Sequence, residues 1–277
     1  MKACVYFHQG WSDIVNCLSL INYYNNYYDE IYVIIRKDAK ELVDYYIKSL
    51  QNVKIIYINN DDGRFYGNFE LSNDEEVKYL MSESHNFHGT IQIGKNIDLL
   101  FHGEHDVYRM DHFRYNWYLR QNENPPGSFL EKFYTIYNID YLERINSFIF
   151  ERDIDLEEKT YNKFISEYGD KYVIYHDNPT WNHMPQNIPT EIKFDNKLEG
   201  YNYVNLNKKS DIFFDYIKIF QNAKEIHLID SLWACIYYLI DSKYGIFKDK
   251  IINVYCYRGH DYMFLYPKQN KNWIIKK

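Results

Sequence analysis

Short apolar runs alternate with stretches of helical periodicity along most of the chain. KACVYFH (2–8) reads as a buried strand, SDIVNCLSLINYYNNYY (12–28) as a helix, and EIYVIIR (30–36) as a second strand. DAKELVDYYIKSL (38–50) follows as a helix and VKIIYIN (53–59) as a third strand. Asp61 and Asp62 with Gly63 then form a turn. A polar stretch with a helix near 74–84 leads to the strand NIDLLFHG (96–103). Residues 104–127 read as a loop or broken helix, and SFLEKFYTIYNI (128–139) as a helix opened by Ser128.

A second alternating series begins near residue 155. It runs helix 156–169 closed by Gly169, strand 171–176, strand 201–206, helix 210–223, strand 225–230, helix 231–241 and strand 251–257. Alternation at this spacing predicts parallel sheets covered by helices. Two such series predict an α/β chain with two Rossmann-like domains facing each other, 1–150 and 151–277. Ligands bind outside the carboxyl ends of strands in such sheets, which selects HQGWSD, HGEHD, HDNPTW and IDSLW.

Composition narrows the function classes. A net charge of −7 argues against a general nucleic-acid binder, which needs a basic surface. No stretch reaches the roughly 18 uninterrupted apolar residues of a membrane span. MKACVYFHQG lacks the length and small-residue cleavage site of a signal peptide. Cys4, Cys17, Cys235 and Cys256 are far apart, each in an apolar stretch, and read as buried thiols. A reducing, cytoplasmic compartment is the expectation. The 31 tyrosines are too many for all of them to be ligand contacts.

The four segments carry the candidate chemistry. Gly10 permits a tight turn, Ser12 or Asp13 caps the following helix, and an ionised Asp13 there is favoured and available as a base. A simple cap explains the same residues. No GxGxxG is present, so a dinucleotide fingerprint is absent. Asp230 and Ser231 stand where a strand enters a helix, a place for phosphate or for an ordinary cap. His102, Glu104, His105, Asp106 and Arg109 cluster at a strand end; acceptor hydroxyl binding or a second base (His105 or Asp106) fits them better than a metal. Asp153 and Asp155 form a DxD just before a helix, where capping competes with metal binding.

HQGWSD resembles the opening of ADP-heptose-type glycosyltransferases, and YIKIFQNAKEIHLIDS resembles the strand–Asp-Ser/Thr–helix element of their C-terminal half. The resemblance covers about a fifth of the chain, with the motifs in the right order. It implies a GT-B glycosyltransferase, with two Rossmann-like domains facing a cleft, the first for the acceptor and the second for the donor nucleotide sugar. By position, Asp13 matches the catalytic base, His176 to Thr180 the phosphate loop, and Asp230 and Ser231 the donor turn, with Gly10 and Ser12 beside the donor. Leu232 and Trp233 stand where the family has glycine. Related GT-B enzymes, including fucosyltransferase-like ones, use an arginine to neutralise the diphosphate; Arg258, after a predicted strand end, is a candidate for that charge or else a surface ion-pair residue.

The resulting expectation is a metal-independent, inverting transfer of a sugar from a nucleoside diphosphate sugar to a glycan or other hydroxyl acceptor, without a resident cofactor. Two alternatives stand beside it: a GT-A-type transferase holding a metal on Asp153 and Asp155, and a non-catalytic sugar- or nucleotide-binding protein.

Overall fold

The computed structural model describes residues 1–7, 11–61, 64–70, 78–81, 87–92, 97–102, 106–109, 114–116, 129–135, 137–177, 191–194, 196–207, 212–257 and 272–276. The chain is α/β and divides into two compact units, Met1–Ile149 and Phe150–Lys277. Each unit has its own parallel sheet.

The strands of the first unit are β1 (Lys2–Phe7), β2 (Glu30–Arg36), β3 (Val53–Asp61), β4 (Arg64–Glu70), β5 (Lys78–Met81), β6 (Phe87–Gln92), β7 (Ile97–His102), β8 (Asp106–Arg109) and β9 (Arg114–Asn116). They lie in the order β7-β1-β2-β3-β4-β6-β5-β8-β9. The four strands β7-β1-β2-β3 are mutually parallel. Helix α1 (Trp11–Asn25) joins β1 to β2, and a 3-10 turn with α2 (Lys40–Ile47) joins β2 to β3. Read from β3, this is the 3-2-1-4 order of a Rossmann half, whose switch point lies between β1 and β7.

The remaining strands extend the sheet with mixed pairing. Asp61 pairs with Arg64, and β3 and β4 are antiparallel; Asp62 and Gly63 of the expected turn lie outside the described residues. Within the segment near 74–84, expected as a helix, Lys78–Met81 form β5. Within 104–127, expected as a loop or broken helix, Asp106–Arg109 and Arg114–Asn116 form β8 and β9; the rest of both segments lies outside the described residues. Tyr79 pairs with Ile91 on one side and Arg109 on the other. Four-residue strands carry too few positions for a period to show; their partners decide them.

Helix α1 is buried on more than one side. Ile14, Val15, Leu18 and Ile21 are inaccessible, and so is Ser19. Its polar positions 16, 19 and 22 bind the segment containing α3 (Phe129–Thr135) and α4 (Glu143–Asn146). Tyr134 Oη donates to Asn16 O, Ser19 Oγ to Arg144 O at 2.6 Å, and Asn22 Nδ2 to Ser147 O at 2.9 Å. Spacing of three keeps these positions on one helix side, so the Ser19 and Asn22 side chains and the Asn16 carbonyl form a docking seam rather than a solvent face.

The second unit opens with α5 (Ile154–Tyr168), followed by β10 (Tyr172–His176), β11 (Asn202–Asn205), α6 (Ile217–Asn222), β12 (Ile226–Ile229), α7 (Leu232–Tyr244), β13 (Ile252–Tyr255) and β14 (Trp273–Lys276). All five strands are parallel, in the order β11-β10-β12-β13-β14. This 2-1-3-4-5 arrangement is doubly wound, with its switch point between β10 and β12. On one face Tyr172 packs edge-on against Phe164 of α5, and Tyr172 Oη donates to Ile219 O of α6 at 2.9 Å. Phe220 and Tyr237 stack at 3.7 Å, joining α6 to α7. The opposite face presents Tyr175, Tyr203 and His227 to Phe194.

Among the described residues no helix is long and apolar enough to cross a membrane. All four cysteines are buried, and burial pushes the Cys4 thiol up to about 12.

Candidate functional site

In the first unit, the β1–β7 register ends with Phe7 beside His102. The chain therefore leaves toward HQGWSD and toward HGEHD from adjacent strand ends. Helix α1 begins at Trp11, so Ser12 lies inside its first turn and not at the cap, a correction to the expected capping role. Ser12 instead accepts at its carbonyl from Asn16 Nδ2 at 2.6 Å. Asp13 is half-buried in that first turn. A carboxylate there interacts favourably with the helix dipole. Trp11 lies under the Arg36 guanidinium, 5.7 Å from ring centroid to Cζ.

His102, expected at an acceptor-binding strand end, lies in the core. It is wholly buried, with Nδ1 2.5 Å from Phe133 O and Nε2 2.9 Å from the Tyr24 hydroxyl. The carbonyl only accepts, so Nδ1 carries the proton and Nε2 accepts from Tyr24. Burial holds the ring's pKa down to about 4, leaving it neutral near pH 7. Its work is to tie β7 to α1 and α3. Asp106 and Arg109 fall in β8. Gly10, Glu104, His105, Thr180 and Arg258 lie outside the described residues.

In the second unit, three predicted residues converge at the β10–β12 switch point. His176 ends β10, and Asp230 and Ser231 follow β12. His176 Nδ1 and Ser231 Oγ are 3.0 Å apart. Ser231 occupies the N-cap position of α7 with extended backbone, yet its hydroxyl caps none of that helix's N–H groups. The cap reading therefore fails for its side chain, whose bond crosses to the neighbouring strand. Without a cap from the Ser231 side chain, the first turn of this 13-residue helix has N–H groups of the kind suited to an anion. Asp230 is 1% exposed, and its N–H donates to Tyr255 O at 3.1 Å. That places Asp230 within the fold of the turn.

Trp233 replaces the small residue of the resembled motif for a packing reason. Its ring fills the space between Phe213 (4.7 Å), Tyr216 (5.3 Å) and Phe220 (6.0 Å). It thereby fixes the start of α7 against the preceding helix.

Asp177 lies within the HDNPTW segment and the expected phosphate loop His176 to Thr180, but the sequence gives it no role of its own. Directly after His176 the chain turns to the other side of the sheet, where Asp177 is 6% exposed. Its Oδ1 accepts from Asn205 Nδ2 at 2.7 Å and its Oδ2 from Ile192 N at 3.4 Å. The available signal was a carboxylate immediately after an apolar strand, beside an asparagine ending the next one.

The DxD is resolved into ordinary helix chemistry. Asp153 Oδ1 accepts from Leu156 N at 3.0 Å as the N-cap of α5, and Asp155 sits in the first turn. Among the described residues no group of three or more His, Cys, Asp or Glu side chains is placed to hold a metal.

Comparison with protein-family models, curated proteins and solved structures gives no match to this chain.

Proposed function

We propose that the chain is a GT-B-type glycosyltransferase that moves a sugar from a nucleoside diphosphate sugar to a hydroxyl acceptor, with unit 2 holding the donor and unit 1 the acceptor. The observation that carries this reading is the His176–Ser231 bond across the β10–β12 switch point. It joins two predicted donor residues beside a helix start that the Ser231 side chain does not cap, the kind of place where α/β sheets take phosphate. The two-unit GT-B arrangement itself is part of the proposal.

The reaction follows from these roles. Ser231, His176 and the first-turn N–H groups of α7 hold the diphosphate and stabilise its charge as the sugar leaves. The acceptor oxygen attacks the anomeric carbon as the bond to the diphosphate oxygen breaks. Asp13 takes the acceptor proton, and the bonding electrons leave with the diphosphate. One displacement inverts the anomeric centre. The charge is received by hydrogen-bond donors, so the reading expects turnover in the presence of a chelator.

The test is release of nucleoside diphosphate from a panel of nucleotide sugars, with mixed glycan acceptors and EDTA. Acceptor-dependent release from one donor supports the reading. No release from any donor, with or without Mg²⁺ and Mn²⁺, refutes it.

A further inference from the structure

The His176–Ser231 bond leaves a second feature of the same strand end unused. On the opposite side of the sheet from α7, a cavity of about 520 Å³ opens beside β10 and β11. Tyr175, Asp177, Tyr203, Asn205, Phe194 and the strap around Lys193 form its walls. Its size lies within the range of small-molecule sites, roughly 300–1,000 Å³.

The walls have a defined chemistry. Phe194 meets Tyr175 edge-on at 5.4 Å and Tyr203 at 4.8 Å, making an aromatic corner. Lys197 Nζ is held 5.3 Å from the Tyr203 ring centroid. Tyr203 Oη accepts from Leu198 N at 2.8 Å and keeps its own proton to donate. Asp177 is the polar centre. The bonds from Asn205 and Ile192 fix its plane, and each oxygen retains acceptor capacity. The wall charges balance, with Asp177 and Glu191 against Lys193 and Lys197. A carboxylate fixed in an aromatic, formally neutral pocket matches a ring bearing two adjacent hydroxyls, each donating to one oxygen.

We infer that this cavity binds the vicinal diol of a sugar ring through the Asp177 carboxylate, with Phe194 and Tyr203 against the ring or its attached base. Two ligands supply that chemistry: the ribose of a nucleotide and the pyranose of a glycan. Asp177 follows His176 directly in sequence but lies on the other side of the sheet from α7, so a nucleotide here would cross the end of β10 to reach the proposed diphosphate site. In that form the inference rests on unit 2 being the donor half.

Isothermal titration of the whole chain with uridine, guanosine and adenosine diphosphates, their 2′-deoxy forms and neutral oligosaccharides separates the sources. A ribonucleotide that binds at least tenfold tighter than its 2′-deoxy form names ribose. Saturable binding of an oligosaccharide alone names a pyranose. In either case Asp177→Asn abolishes the preference or the binding. Asp177→Asn keeps the side chain's shape; should it unfold, Lys197→Glu at the exposed wall replaces it and weakens the same ligand at least threefold. No saturable ligand in the panel, or variants that bind like the parent, overturns the inference. Binding that depends on Asp177 without any sugar transfer would sink the transferase reading and leave this one standing. Transfer with both donor and oligosaccharide affinity indifferent to Asp177 would do the reverse.

Discussion

Ser231 Oγ, just past the end of β12, lies 3.0 Å from Nδ1 of His176 at the end of the parallel strand β10, 55 positions away in sequence. Ser231 thus sits at a helix start while its side chain serves another element. A double-mutant cycle in stability separates this from capping. Ser231→Ala should cost about 0.5–1.5 kcal/mol in the parent and little once His176 is alanine. A capping serine would cost the same in both backgrounds.

Asp13 stands in the first turn of α1, where a negative charge is favoured by about 0.3–1 kcal/mol. Asp13→Asn should therefore lower stability only slightly. As the proposed base it should lower transfer by about 10²–10⁴-fold with donor affinity unchanged. Wild-type turnover in that variant would remove Asp13 from the mechanism.

His102 predicts a specific acid sensitivity of the first unit. Its pKa falls from 6.5 to about 4 on folding, so the unfolded chain binds the extra proton between those values. Stability is full above the upper value and declines as pH falls toward the lower one. The loss between pH 7 and pH 5 should be about 2 kcal/mol for this one fully buried group. Denaturant melts of His102→Gln, whose side chain does not titrate, should lack that share of the decline.

Asp241 tests what holds the last strand. It is 3% exposed; its Oδ2 accepts from Trp273 Nε1 at 2.8 Å, and its Oδ1 from Phe247 N at 2.7 Å. Asp241→Leu leaves both donors buried without that acceptor and should cost about 2–5 kcal/mol. Hydrogen exchange should show the loss first in β14, ahead of β10 and β12.

The parallel cores were readable because their strands are apolar runs separated by helix-length segments. EIYVIIR matches β2 residue for residue, and α1 and α7 differ from expectation at their ends. The added strands β5, β8 and β9 were not readable, since three- and four-residue pairings depend on partners far along the chain. The site shows the same division. His176, Asp230 and Ser231 follow from the strand-end rule. The core role of His102 and the exposure of Asp177 to a cavity follow from neighbours that only the fold supplies. Likewise, that the side chains of Ser19 and Asn22 dock the α3–α4 segment follows only from the fold.

The account rests most directly on the β10–β12 switch point as a diphosphate site. The deciding measurement is a titration of nucleoside diphosphate sugars into the parent chain, His176→Ala, Ser231→Ala and the double variant, with EDTA present. The account predicts that one donor binds, that each single variant weakens it at least tenfold, and that the double variant loses less than the product of the two. Donor binding equal in all four proteins would contradict it and place the donor elsewhere on the chain.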